Sequence, residues 1–181
     1  QRQMCIRDRS YSIRTFGDPV LKSKASEITK IDDKLVGLCD EMFDIMFKAP
    51  GIGLAAPQVG VQKRLFVYDI GDGEGVIINP EIVESDGEFM YEEGCLSIPG
   101  LYVEMLRPAR IHVRGINLDG EEIEIEADDL LGRLIQHELD HLNGVLMFDR
   151  MSPDQRKEAM AVYRKLVESP GAQEPQHIAF K

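Results

Sequence analysis

At 181 residues, with 43% hydrophobic and 29% charged residues, the chain has the size and composition of one globular domain that can bury a core unaided. A net charge of −11 excludes broad electrostatic attachment to nucleic acid, and no apolar run reaches the length of a helical membrane span. Three scattered cysteines, Cys5, Cys39 and Cys95, are too few for a disulfide framework, so a reduced, cytoplasmic chain is expected.

Residues 1–9 (QRQMCIRDR) fit no element. They lack the apolar centre of a secretory signal. Their arginines, followed by Ser10 and Ser12, faintly resemble an organellar transit peptide, but the segment is short and Asp8 breaks the acid-poor pattern. Residues 1–10 are therefore read as a non-native or disordered leader, and organellar localisation would follow only from a genuine transit peptide.

From Asp32 to Lys48 a helix is predicted. Leu35, Leu38, Cys39, Met42, Ile45 and Met46 recur at helical spacing, Asp32 or Asp33 can cap the start, and Pro50-Gly51 ends it. Cys39 lies on that stripe and reads as core. The glycine-rich run Gly51–Gln58 leads to a strand over Arg64–Ile70, with short extended pieces at Val76–Ile78 and Glu81–Val83. Arg110–Leu118 and Glu121–Ala127 alternate around Asp119-Gly120, which predicts a hairpin with a type I′ turn. Its inner face carries Ile111, Val113, Ile123 and Ile125, while His112 and the glutamates point to water. A second helix starts at Asp128 or Asp129 and runs to about Asn143, stopped by Gly144. A third spans Asp154–Glu168 after Ser152-Pro153. From Ser169 to Lys181 no period remains, and a mobile tail is expected. Helices and strands mix without a βαβ rhythm, which points to an α+β fold. The expected architecture is antiparallel sheets around the second helix, flanked by an N-terminal and a C-terminal helix, in a single catalytic domain over 11–168.

The second helix carries His137-Glu138-Leu139-Asp140-His141, an H-E-x-x-H pattern. At about 100° per residue the two histidines project about 40° apart, so both imidazoles can converge on one ion. Leu131, Leu134, Ile135, Leu142 and Val145 form the apolar stripe, with Glu138 in its middle. Arg133, Gln136 and Asp140 occupy the opposite, polar face. Two ordinary core histidines would leave Glu138 unexplained, because burying an unpaired carboxylate is costly. Asp140 either orients a ligand or faces solvent, and its phase favours solvent.

A catalytic ion needs a third protein ligand. Counting about twenty residues downstream, as in thermolysin-like enzymes, lands on Ala161, and Glu158 and Glu168 are off register. The longer metzincin pattern is met by Gly144 but fails at Met147, where its last histidine belongs. Cys95, within Glu93-Gly94-Cys95-Leu96-Ser97 and in a loop entering the Ile98-Pro99-Gly100 turn, suits a thiolate ligand. It equally suits a small buried hydrophobe.

Three strings, in this order, resemble the motifs of bacterial-type peptide deformylases: Gly51-Ile52-Gly53-Leu54-Ala55-Ala56-Pro57-Gln58, Glu93-Gly94-Cys95-Leu96-Ser97 and Gln136-His137-Glu138-Leu139-Asp140-His141. The similarity runs from about Ile13, through Gly17-Asp18-Pro19-Val20-Leu21, to about Arg150. It implies hydrolysis of the N-formyl group from the initiator methionine of nascent chains, with release of formate. It also implies that Cys95, His137 and His141 ligate one divalent ion. Fe(II) is the ion expected from the family, with zinc, nickel or cobalt able to substitute, whereas the donor set alone would suggest zinc.

By the same resemblance, Glu138 shuttles a proton from a metal-activated water, and the Gln58 amide and the Leu96 backbone N–H receive the developing oxyanion. Without its companions Gln58 would read as a polar loop residue. The Gly53 backbone pairs with the peptide as an added strand. Ile52 and Leu134 are candidate walls for the methionine side chain, or plain core. Charge alone pairs Glu93 with Arg107 as a brace for Cys95. The expected partners are N-formylmethionyl peptides and nascent chains, with no membrane, no sequence-specific nucleic acid and a monomeric state. Transient ribosome contact is compatible with this, but Arg156, Lys157, Arg164 and Lys165 alternate with Asp154, Glu158 and Glu168, a mixed face unlike an RNA anchor. The rival readings are a zinc peptidase whose glutamate ligand has no placement, and a non-catalytic metal-binding module, against which an intact Glu138 and Gln58 weigh.

Overall fold

The computed structural model describes residues 11–171 and 174–180; the expectation for the leader, Cys5 included, lies outside them. In chain order the elements are α1 (Asp33–Lys48), β1 (Gly53–Ala55), β2 (Leu65–Tyr68), β3 (Gly75–Asp86), β4 (Phe89–Cys95), β5 (Ile98–Arg107), β6 (Arg110–Ile116), β7 (Glu122–Asp128), α2 (Asp129–Leu142), α3 (Pro153–Glu168) and β8 (Gln176–Ile178). One sheet has the order β1-β2-β3-β6-β7, antiparallel throughout; the other has the order β4-β5-β8. The class is α+β, as the sequence predicts.

The Asp32 side chain accepts from the Leu35 N–H at 3.0 Å and starts α1. The helix buries Leu35, Leu38, Cys39, Met42 and Met46, and the Gly51 N–H closes it on the Met46 carbonyl at 2.7 Å. At α2, Asp128 occupies the N-cap position without a side-chain bond, and Gly144, at φ +71°, turns the chain away from the other end. A capping box between Ser152 and Gln155 begins α3.

Two strand readings change. The extended pieces expected at 76–78 and 81–83 are one strand, kinked where Asn79 takes φ +50° and the register against β6 shifts. The Asn79 amide fixes the kink by bonding the Ile28 N–H at 2.9 Å and the Ile28 carbonyl at 2.8 Å. The 110–127 hairpin forms with Val113 opposite Ile125, but its turn is not type I′. Gly120 alone has positive φ, at +81°; it donates to the Asn117 carbonyl, while the Asn117 N–H bonds Glu121 across the loop. That is a three-residue connection with a glycine bulge.

The larger correction is the second sheet. Cys95 ends a strand rather than sitting in a loop, and Ile98 opposite it begins the next. Gly94, Pro99 and Gly100 read as punctuation, yet they lie inside the pair. This sheet also reverses the reading of the polar face of α2. Arg133, Gln136 and Asp140 are all buried, because β4 and β5 cover that side. Arg133 donates to the Tyr91 carbonyl at 3.1 Å beneath the rings of Phe89 and Tyr91, and Gln136 donates to the Pro108 carbonyl at 3.1 Å. On the other side Leu134, Ile135 and Leu142 pack with Phe66, Ile77, Ile111 and Val113 of the large sheet. Each such buried side chain stabilises the fold by roughly 1.5–3 kcal/mol. The helix is thereby held between two layers.

Ala159 and Tyr163 of α3 join Phe148, Ile98, Leu101 and Val103 in a separate cluster. The tail reading does not hold for Gln176–Ile178, which run parallel to Leu101–Val103 with Ile178 buried in that cluster. Three residues are too few to show a period. Among the described residues no helix is long and apolar enough to cross a membrane.

Candidate metal centre and cleft

One turn of α2 separates His137 from His141, and their rings meet edge to face with centroids 5.0 Å apart. The two Nε2 atoms are 3.3 Å apart, and Cys95 Sγ lies 3.3 Å from His141 Nε2. Cys95 reaches this point from the last position of β4, with 9% of its surface exposed. One ligand atom from each residue falls within 4.8 Å of the others. Three electron-rich atoms facing one another can share protons or take a metal ion between them. Two imidazoles and a thiolate form a donor set that a late first-row divalent ion takes in three-plus-one coordination, so these residues fit such an ion.

The surrounding groups hold the ligands. His137 Nδ1 is 3.1 Å from Glu93 Oε2, and Arg107 Nη2 donates to the same oxygen at 2.9 Å. Burial alone would raise Glu93; the bonds from His137 and Arg107 outweigh it and bring the carboxyl down to about 2. Glu93 therefore accepts, and His137 Nδ1 donates. Burial would lower His137, but Cys95 and Glu93 reverse this, so its Nε2 is set to hold a proton or a metal. Arg107 Nη1 also donates to Asp140 Oδ2 at 2.9 Å, and Arg150 Nε donates to that oxygen at 3.1 Å. The charge-based pairing of Glu93 with Arg107 is present. The solvated reading of Asp140 is corrected: it is buried and bridges the buried Arg107 to the exposed Arg150.

Glu138 points into the same region and is 4% exposed. Burial pushes its carboxyl up to about 7, against the pull of a charged His137. Its Oε2 has no hydrogen-bond partner among the described residues. Beside it runs β1, where a Cβ on Gly53 would stand 2.5 Å from Glu138 Oε1. Only glycine leaves the carboxylate its place. Gln58, 1% exposed in a short turn after β1, anchors its Oε1 on the Ala55 N–H at 2.9 Å. That directs its Nε2 toward Ser97 Oγ at 3.1 Å and Cys95 Sγ at 3.8 Å.

These groups floor a cleft of about 530 Å³. Ile52, 45% exposed, and Leu134, buried, both line it, as do Gly53, Gln58, Leu96 and Glu138. Every residue singled out from the sequence for chemistry thus reaches one place. Tyr91 and Tyr102 also line the cleft and had no signal in the sequence, because their strands were not recognised. Leu101, Val103 and Met105 alternate and put Tyr102 on the other face of their strand, but 89–95 carries no alternation from which Tyr91 could have been found.

The sequence model of one family, Polypeptide deformylase, matches residues 10–157. A peptide deformylase of Clostridium botulinum is 55% identical over 77% of this chain and 95% of its own. Among solved structures, a peptide deformylase from Legionella pneumophila superposes with a TM-score of 0.84 at 40% identity, over 90% of this chain and 98% of that one. That from Thermotoga maritima gives 0.77 at 49% identity, over 79% and 98%. The chain belongs to the polypeptide deformylase family, hydrolases that remove the N-formyl group from nascent peptides.

Proposed function

We propose that the cleft hydrolyses N-formylmethionyl chains with Cys95, His137 and His141 holding one Fe(II), Glu138 moving the proton, and Gln58 with the Leu96 N–H receiving the oxyanion. The observation that carries this is the convergence of the three ligand atoms within 4.8 Å beside a buried carboxylate whose place requires Gly53. Iron follows from the family resemblance; the donors would accept zinc equally. When bound, the ion supplies Lewis acidity that activates water at neutral pH.

Glu138, buried beside the three ligands with one oxygen unpartnered among the described residues, takes the proton of the attacking water and returns it to the amine as the formyl C–N bond breaks. Gln58 cannot turn its amide over without losing the bond from Ala55, so Nε2 remains the donor. One such preorganised donor lowers the barrier by about 3 kcal/mol. The Gly53 backbone aligns the peptide, and Ile52 and Leu134 enclose the methionine side chain. The catalytic unit is a single domain, 11–168 extended by the strand Gln176–Ile178, and acts as a monomer on chains presented near the ribosome. Formate release from formyl-Met-Ala under anaerobic conditions, with no cleavage of unblocked Met-Ala, is the expected result. Peptide-bond cleavage instead would favour the peptidase reading.

A further inference from the structure

We infer that the C-terminal strand sets the outer wall of this cleft, with His177 as a positioning residue that holds Tyr102; the inference rests on the deformylase reading of the site. A single row of register crosses the small sheet, Gly94 opposite Tyr102 and Tyr102 opposite His177. Side chains alternate along a strand, so Ile178 enters the core while His177 stands on the opposite face.

Tyr102 leans over Gly94, where a Cβ would lie 2.5 Å from its Cε1. The His177 imidazole stacks on the Tyr102 ring, with centroids 4.9 Å apart and planes 12° from parallel. Nδ1 of the same imidazole is 2.7 Å from Glu92 Oε1. The tail thus brackets a tyrosine against the backbone immediately before Cys95. Gly94, Glu92 and Tyr102 all line the cleft. The strand that does this lies beyond the residues matched by the family model.

Position within the cleft says which part of the substrate is affected. Cys95 and Glu138 are 9% and 4% exposed at the floor, whereas Tyr102 is 37% exposed at the mouth. A peptide whose formyl group reaches the floor leads its following residues out past the mouth, so Tyr102 meets residues after the first. A ring already fixed by stacking loses less freedom when the peptide arrives.

The test compares formyl-Met-Ala with formyl-Met-Ala-Ala in wild type, His177→Ala and His177→Phe, with thermal melting and metal content measured alongside. His177→Ala is expected to raise KM for the longer substrate by about fivefold, leaving kcat, bound metal and KM for the shorter one unchanged. His177→Phe, which keeps the ring and drops the bond to Glu92, is expected to restore KM to within about twofold of wild type. If the alanine variant melts early, His177→Gln, which keeps a donor and drops the ring, carries the same expectation. Unchanged KM for the longer substrate, or equal rises for both, would overturn the role of His177 while leaving the activity intact. No formate from the wild type would overturn the deformylase reading itself.

Discussion

Glu138 and Gly53 share a space that admits no further carbon, with a Cβ at position 53 falling 2.5 Å from the carboxylate. The glycine is therefore part of how the carboxylate is placed. Replacing Glu138 by Gln preserves shape and removes the proposed base, so turnover should fall by about a thousandfold or more while metal content stays at wild-type level. Metal loss with substantial turnover remaining would put the proton elsewhere. The residues of this group were legible because their relation is local: His137 and His141 are one turn apart, and Gln58 follows Gly53 in a short loop. Tyr102 and His177 were not legible, since their meeting depends on strands 75 residues apart in sequence coming into register.

At the scale of elements, three pieces of chain meet on one guanidinium. Arg107 of β5 binds Glu93 of β4 and Asp140 of α2, all three buried. Arg107→Met would leave two buried carboxylates without that partner and should cost about 3–5 kcal/mol in urea unfolding. A loss below about 1 kcal/mol would mean the group acts like a surface pair. Periodicity could not reveal this joint. It assigns polar residues to water, and here a polar face is buried through ion pairs instead of apolar contact.

Helix α1 offers a pH signature of its own. Burial, reinforced by Asp40, raises the Cys39 thiol from 9.0 to about 11. The neutral thiol is the form the fold favours, so this contribution is complete below pH 9 and is lost as pH rises through about 11. Its size is about 3 kcal/mol. Stability of wild type should fall more steeply than that of Cys39→Val across this interval; parallel curves would show that the thiol titrates as it does in water. The stripe that buries Cys39 was plain in the sequence, because an amphipathic helix carries its own period.

Across the whole molecule, the proposed ligand set spans two layers: Cys95 belongs to the small sheet and both histidines to the helix packed on the large one. An ion bound there joins the layers, and its binding energy adds to folding. Removal by a chelator should lower the melting temperature, with about 4 kcal/mol lost from a site held at a thousandfold excess over its dissociation constant. Cys95→Ala should bind less metal and show little further change on chelation. Equal melting with and without metal would place the ion outside this seam. The three helices and the strands β2, β3, β6 and β7 of the large sheet could be anticipated from pattern, whereas β1 read as a glycine-rich run. The small sheet could not, with two of its strands interrupted by glycine or proline and the third only three residues long.

The closing strand has one more implication. Gln176–Ile178 occupy the free side of Leu101–Val103, whose amide and carbonyl groups would otherwise form an open border. Chains trimmed before this point would expose a ready template for a second copy, and self-association on storage would reveal the tail as a guard against sticking.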